Sequence, residues 1–261
     1  MTRLPVAPNR RLGQHFLVDE NILDVIGRLA RLGRTDVVLE IGPGYGILTR
    51  YLAERVTHVH AVELDRGLAP HLRDRLDGLG NVELIFGDAL AVDFASLDPP
   101  PTKLVANLPY NVATPIVVES LDGVPTVGEW CVMVQREAAD RLFAQPSTKD
   151  YGAVSVLVQL VTRRTGLHRV SPHVFRPRPN VDSALVAFER TALPPSYSRI
   201  KELVTTAFAH RRKTLANSLE LSGTAMRADV VEALARLGRP ADSRAQALAP
   251  TEFVALAEAL R

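Results

Sequence analysis

The pattern between residues 37 and 53 constrains the fold of this chain more than any other. Val37-Val38-Leu39-Glu40-Ile41 is a continuous apolar run broken by one acid, and Gly42-Pro43-Gly44-Tyr45-Gly46 follows at once. Ile47-Leu48-Thr49-Arg50-Tyr51-Leu52-Ala53 then continues with helical apolar spacing. A run apolar on both faces suits a strand covered on both sides, as in a parallel sheet between helix layers. Strand, glycine turn and helix in that order open a doubly wound α/β sheet, whose ligands lie at the carboxyl ends of the strands. Glycines in the turn let the backbone approach a ligand closely. Their spacing is G-x-G-x-G, whereas a pyrophosphate on a helix N-terminus calls for G-x-G-x-x-G. Pro43 and Tyr45 add bulk, so a nucleoside without phosphates fits this loop better than NAD.

Three later segments place polar groups at corresponding points. His58-Val59-His60-Ala61-Val62-Glu63-Leu64 reads as a second strand ending in Glu63, where an acid can bind both hydroxyls of a ribose. Val82-Glu83-Leu84-Ile85-Phe86-Gly87 delivers Asp88, whose carboxylate can accept from an adenine amino group while the Ala89 N–H serves a ring nitrogen. Lys103-Leu104-Val105-Ala106 is a short buried strand, followed directly by Asn107-Leu108-Pro109-Tyr110. The Asn107 side-chain carbonyl and the Leu108 backbone carbonyl can both accept from an exocyclic –NH2, and the Tyr110 ring offers a stacking face. Glu40, Glu63, Asp88 and Asn107 therefore stand at or near four successive strand ends. In a parallel sheet they gather along one edge, a cleft for S-adenosylmethionine opening onto a pocket for an amino-bearing base.

Composition excludes several other chemistries. The single cysteine, Cys131, rules out intrachain disulfides and an all-cysteine zinc site. It sits in the apolar run Trp130-Cys131-Val132-Met133-Val134, the expected fifth strand, where a thiol is buried and inert. That argues against carbon-5 pyrimidine methylation, which needs a thiolate. The seven His are scattered and no metal-binding spacing occurs, so no metal is expected. The basic N-terminus lacks an apolar signal core and no run nears the ~18 apolar residues of a membrane span. A soluble, cytoplasmic protein is expected.

The net charge of +2 says little about nucleic acid, but its distribution says more. No acid occurs between Asp150 and Asp182, where Arg163, Arg164, Arg169, Arg176 and Arg178 all lie. The arm before Asp19 carries Arg3, Arg10 and Arg11 without an acid, and Arg211-Arg212-Lys213 forms a third cluster. Basic patches on an otherwise balanced protein are the expected footprint of phosphate contacts.

Taken with Gly13-Gln14-His15-Phe16-Leu17, Val134-Gln135-Arg136-Glu137, Phe175 to Ser183 and Phe208 to Leu215, these segments resemble the small-subunit ribosomal RNA adenine dimethyltransferases, the KsgA/RsmA family. The resemblance runs from the N-terminal arm into the C-terminal helices. It implies a Rossmann-like class I methyltransferase sheet with a small C-terminal all-α domain. It also implies transfer of methyl groups from S-adenosylmethionine, leaving S-adenosylhomocysteine, to N6 of two adjacent adenosines in the 3′-terminal hairpin loop of 16S rRNA. The expected partner is 16S rRNA in the immature small ribosomal subunit, and the expected state is a monomer. Carried over by position, the donor site comprises His15 (where relatives often have Asn), Leu17, Gly42, Gly44, Glu63, Asp88, Ala89 and Asn107. Asn107, Leu108, Pro109 and Tyr110 hold the base, with Tyr110 and Phe175 as candidates for its two faces. Two readings stay open: a large-subunit adenine dimethylase of the macrolide-resistance type, and a ribosome-assembly factor in which catalysis is secondary. A dinucleotide oxidoreductase is disfavoured by the glycine spacing.

The expected organisation is a basic arm over residues 1–18 and a catalytic domain over 1–190. A helical, RNA-contacting domain over 191–261 follows the linker Thr191 to Ser196. Asn21 to Leu32 reads as a helix capped by Asp19, and Thr114-Pro115 as the start of another. Tyr151 to Val161 fits helix or strand equally, and Ser183 to Arg190 alternates like a closing strand. Ile200 to Glu220, Arg227 to Leu237 and Thr251 to Leu260 have helical spacing.

Overall fold

Each apolar run read as a strand is a strand in the computed structural model, which describes residues 6–9 and 12–260. In chain order the first elements are β1 (Phe16–Leu17), α1 (Asn21–Leu29), β2 (Val37–Ile41), α2 (Ile47–Ala53), β3 (His58–Glu63), α3 (Ala69–Arg75) and β4 (Val82–Phe86). Then come β5 (Lys103–Asn107), α4 (Ala113–Gly123), β6 (Glu129–Gln135), α5 (Arg136–Leu142), α6 (Ala153–Val161), β7 (Thr162–Val170), β8 (Phe175–Arg176) and β9 (Ser183–Arg190). Four helices follow: α7 (Tyr197–Ala209), α8 (Leu215–Leu221), α9 (Arg227–Arg236) and α10 (Pro250–Ala259).

The main sheet has the order β4-β3-β2-β5-β6-β9-β7. The pairings of β2 with β3 and β5, of β3 with β4 and of β5 with β6 are all parallel. The alternating strand β9 closes antiparallel on β6. Its first six residues are buried on both faces, so its alternation does not separate core from solvent. The chain runs outward from β2 through β3 to β4 and returns to place β5 on the other side of β2. The order reverses there, and a crevice opens at the carboxyl ends. A separate two-stranded ribbon pairs Phe16 with Arg176 and Leu17 with Phe175.

Local chemistry explains several boundaries. Asp19 Oδ1 accepts the Asn21 N–H at 2.9 Å, so the acid serves the start of α1 although Glu20 occupies the cap position. The helix stops at Leu29, short of Leu32, because the buried Lys103 takes up the Ala30 and Arg31 carbonyls at 2.8 and 2.6 Å. Helix α4 begins at Ala113, one residue before Thr114, because the turn Val112 N–H to Pro109 carbonyl (3.1 Å) already starts it. Pro115 then falls in the first turn, where a missing N–H costs nothing. Residues 200–220 form two helices: Thr214 accepts the Asn217 N–H at 3.3 Å and caps α8 as a new start.

The chain divides into two compact units. One comprises the residues through Ala139 with Arg163–Arg190, and holds the sheet. The other comprises Asp140–Thr162 with Thr191 onward. The division therefore differs from the single cut expected at 190. The ambiguous 151–161 segment is helix α6, whose Val156, Leu157, Val158 and Val161 are buried and which packs with α7 and α10. The Tyr151 hydroxyl adds a 2.7 Å bond to the Leu248 carbonyl within the same unit. Among the described residues, no helix is long and apolar enough to cross a membrane.

Candidate active site

The carboxyl ends of β2, β3 and β5 and the loop after β4 surround a cavity of about 1160 Å³, counting the part open to solvent. His15, Leu17, Gly42, Gly44, Glu63, Asp88, Ala89, Asn107, Leu108, Pro109 and Tyr110 all line it. The sequence placed these residues in five separate segments, and the sheet brings them together.

On the glycine side, Gly42 has φ +75° and Gly44 φ +57°, conformations that side chains rarely adopt. A Cβ on Gly44 would also lie 2.7 Å from Phe16 Cδ1, so the aromatic backing of the loop demands glycine here. Phe16 in turn stacks on Tyr45, with ring centroids 3.8 Å apart, and the Tyr45 hydroxyl donates to the Val6 carbonyl at 2.6 Å. The buried Glu63 accepts the Gly44 N–H on Oε2 at 3.1 Å and the Asp65 N–H on Oε1 at 2.8 Å. Burial raises its pKa, and these N–H groups oppose the rise. Its two oxygens are thereby fixed, each with a lone pair left for a ligand hydroxyl. Asp88 Oδ1 accepts the Leu90 N–H at 2.9 Å, shaping the loop after β4.

Glu40 is different. It is 1% exposed, and its Oε2 has no partner among the described residues. Burial pushes its pKa up to about 8, against the opposing Thr49 hydroxyl and helped by the Glu63 charge. It stands at the cavity wall as a carboxyl whose neutral form burial favours.

On the β5 side, the Asn107 amide nitrogen donates to the His15 carbonyl at 3.2 Å. This orients the amide and leaves Oδ1 accepting no hydrogen bond from the described residues. The Leu108 N–H donates to Met133 on β6 at 3.1 Å, which anchors the turn, while the Leu108 carbonyl takes no backbone N–H from the described residues. The Tyr110 hydroxyl shares a 2.6 Å bond with Ser183 Oγ, and burial keeps the phenol above its usual pKa. His15 lies against Tyr110 with ring centroids 5.4 Å apart and 28° between planes. Its Nδ1 is 2.8 Å from the Pro177 carbonyl, which can only accept, so Nδ1 carries the proton.

Phe175 is a correction. It is 1% exposed, packed with Leu17, Ile22, Ile26 and Leu185, and absent from the cavity wall. Its pairing with Leu17 in the β1–β8 ribbon turns it inward, so it cannot cover a base. Cys131 is buried, and desolvation pushes its thiol up to about 12, as an inert core residue requires.

The basic clusters are only partly uncommitted. Arg10 and Arg11 lie outside the described residues. Arg163 pairs with Glu189, and Arg211 donates to the Lys149 and Tyr151 carbonyls at 3.4 Å each. Arg164 is likewise engaged within the fold, whereas Arg176, Arg178, Arg212 and Lys213 are exposed. Sequence reasoning gave no role to Gln14, which donates to Asp65 Oδ2 at 2.8 Å, or to Ser183. Both fall within quoted motifs, and that is the signal that could have found them.

Residues 7–253 match the family model for ribosomal RNA adenine dimethylase. The chain belongs to this family. It is 50% identical over 250 residues to the ribosomal RNA small subunit methyltransferase A of Rubrobacter xylanophilus, covering 95% of this chain and 94% of that one. The protein of the same name from Pelotomaculum thermopropionicum is 43% identical over 274 residues, covering 99% and 93%. The solved structure of a dimethyladenosine transferase from Plasmodium falciparum superposes with TM-score 0.77 at 24% identity, covering 93% and 96%, and shares the fold. That of the 23S rRNA methyltransferase ErmE gives 0.67 at 29%, covering 94% and 99%. As a ribosomal RNA adenine dimethylase, the chain is an S-adenosylmethionine-dependent RNA methyltransferase. The cavity suits that donor chemically: it offers a fixed carboxylate for sugar hydroxyls, glycine backbone for close approach, and a buried acid whose neutral form is favoured. The Asn107 oxygen and the Tyr110 ring suit the acceptor base.

Proposed function

We propose that this dimethylase methylates N6 of two adjacent adenosines in the 3′-terminal hairpin loop of 16S rRNA. It acts as a monomer in the cytoplasm on the immature small subunit. The relatives' name, small subunit methyltransferase, supports the choice of subunit. The observation that carries the chemistry is the half-used amide of Asn107: its nitrogen is tied to His15, and its oxygen is left for an acceptor amine.

Bound S-adenosylmethionine supplies a methyl group on a positively charged sulfur, which is already electrophilic. The protein's task is to align the acceptor and exclude water. Glu63 holds the ribose hydroxyls, Asp88 and the Ala89 N–H hold the donor adenine, and Gly42 and Gly44 admit the donor to the backbone. His15 and Leu17 close that side from the N-terminal arm. An adenine amine is a weak nucleophile because its lone pair is delocalised into the ring. Hydrogen bonds from the amine to Asn107 Oδ1 and the Leu108 carbonyl favour a tetrahedral nitrogen and localise the pair as reaction proceeds. Pro109 stiffens the turn just after those two acceptors, and Tyr110 stacks on the extruded base. Extrusion costs little in a hairpin loop, where bases are already partly unstacked. The displaced amine proton passes to water, so no side-chain base is required. The exposed Arg176, Arg178, Arg212 and Lys213 contact phosphates, with Arg163, Arg164 and Arg211 contributing from their paired positions.

Primer extension on both ribosomal RNAs after reaction with the purified protein tests this reading. Two neighbouring stops near the 3′ end of 16S rRNA are expected. A stop in 23S rRNA would reassign the chain to the large subunit, and no stop on either would make it a binding factor.

A further inference from the structure

We propose that His58, His60 and Glu83 form a binding site for a divalent transition-metal ion of the zinc type. No metal is expected from the sequence, because its His are scattered, but folding brings two of them together with a carboxylate. The two-residue period of β3 puts His58 and His60 on one face, and parallel pairing sets Glu83 of β4 opposite His60. Their ligand atoms lie within 4.8 Å of one another.

The hydrogen bonding at His60 carries the argument. This side chain is fully buried, and its Nε2 lies 2.8 Å from the Pro99 carbonyl. A carbonyl only accepts, so Nε2 holds a proton, and in the neutral ring Nδ1 then presents a lone pair. That nitrogen faces Glu83 Oε2 at 2.7 Å. At this spacing a shared proton holds the two together, and a metal ion can take its place once Glu83 turns outward. His58 completes the cluster, and its Nε2 is buried with no partner among the described residues. One cation satisfies all three groups. A second proton on His60 satisfies only two.

The surroundings are those of a metal ligand. Coordinating histidines donate their other ring N–H to a carbonyl or carboxylate, as His60 does to Pro99. Two imidazoles and a carboxylate suit zinc, cobalt or nickel better than magnesium or calcium. Tetrahedral zinc with ~2.0–2.1 Å bonds places its donors ~3.3 Å apart. The half-exposed Glu83 can rotate to reach that spacing and gives the ion a route from solvent. Three protein ligands leave one position for water.

The site stands at the start of β3, whereas Glu63 stands at its end, five residues or ~16 Å along the strand. β4 is the edge strand and none of its residues is fully buried. A metal bridging β3 and β4 thus staples the exposed edge of the sheet and leaves methyl transfer untouched.

The test is calorimetric titration of the chelator-treated full chain with zinc chloride, paired with amide exchange over residues 82–86. One ion per chain, bound tighter than about 100 µM, is expected, with slower exchange in β4. Glu83→Gln, at an exposed position, and His58→Asn should each weaken zinc binding at least about tenfold without changing methyl transfer. His168→Asn, on the exposed β7, should bind as the parent does. No saturable binding, or full-affinity binding by Glu83→Gln, would overturn the proposal and leave a shared proton between His60 and Glu83.

Discussion

The two ends of strand β5 treat polar side chains in opposite ways. At its start, Lys103 is 6% exposed and its ammonium is consumed by the protein: two carbonyls of the α1 terminus, Asp36 at 3.1 Å and Glu129 at 3.5 Å. At its end, Asn107 commits its nitrogen and keeps its oxygen. β2 ends the same way, with a Glu40 oxygen unpartnered beside the cavity. The saturated Lys103 at the amino end locks the layers together. Half-saturated groups at the carboxyl ends stand ready for a ligand, which completes the hydrogen bonds they leave unmade.

Substitutions can break this contrast. The largest effect is expected from Asn107→Ala, which removes the uncommitted acceptor. The single-turnover rate should fall by ~10²–10³-fold with RNA affinity, measured by filter binding, nearly unchanged. Equal losses in both would make the tetrapeptide a structural support. Lys103→Met should do the reverse. It strips a buried cation from Asp36 and two carbonyls and should cost ~3 kcal/mol in urea unfolding, with turnover per folded molecule intact. A drop in turnover would show that the two ends of β5 are coupled.

Glu40 sharpens the comparison through pH. The unfolded chain releases this proton near the ordinary carboxylate value of 4.5, whereas the folded chain keeps it to about 8. Between those values the unfolded state binds fewer protons, so stability falls as pH rises across the window. Glu40→Gln should flatten that fall, read from urea midpoints at about pH 5 and pH 8. An unchanged slope would mean the carboxyl is ionised in the fold. The smallest effect expected is at Tyr110. Its replacement by Ala should weaken RNA binding by ~1–3 kcal/mol through lost stacking, and an unaltered affinity would remove the ring from the pocket.

Much of the site could be read before folding. The runs ending at Ile41, Glu63, Phe86 and Asn107 are predominantly apolar and short, so strand identity and direction followed from pattern, and the residues just past them had to share an edge. What failed were features set by neighbours distant in sequence. Phe175 has the character of a stacking residue, yet its pairing with Leu17 turns it into the core. Residues 151–161 are mostly apolar and β-branched and fit either period, so only their packing with α7 and α10 makes them helix and moves them into the second unit.

Residue order and polarity alone determined a parallel, doubly wound sheet, a glycine-lined cleft and the amide-bearing tetrapeptide at its mouth. These depend on short-range periodicity and turn chemistry, which the chain carries locally. The tertiary structure decided which polar atoms remain unpaired: the oxygens of Asn107 and Glu40 at one end of the sheet, the nitrogen of His58 at the other. Hydrogen-bond satisfaction is a property of the assembled neighbourhood, so no reading of one segment at a time could have supplied it.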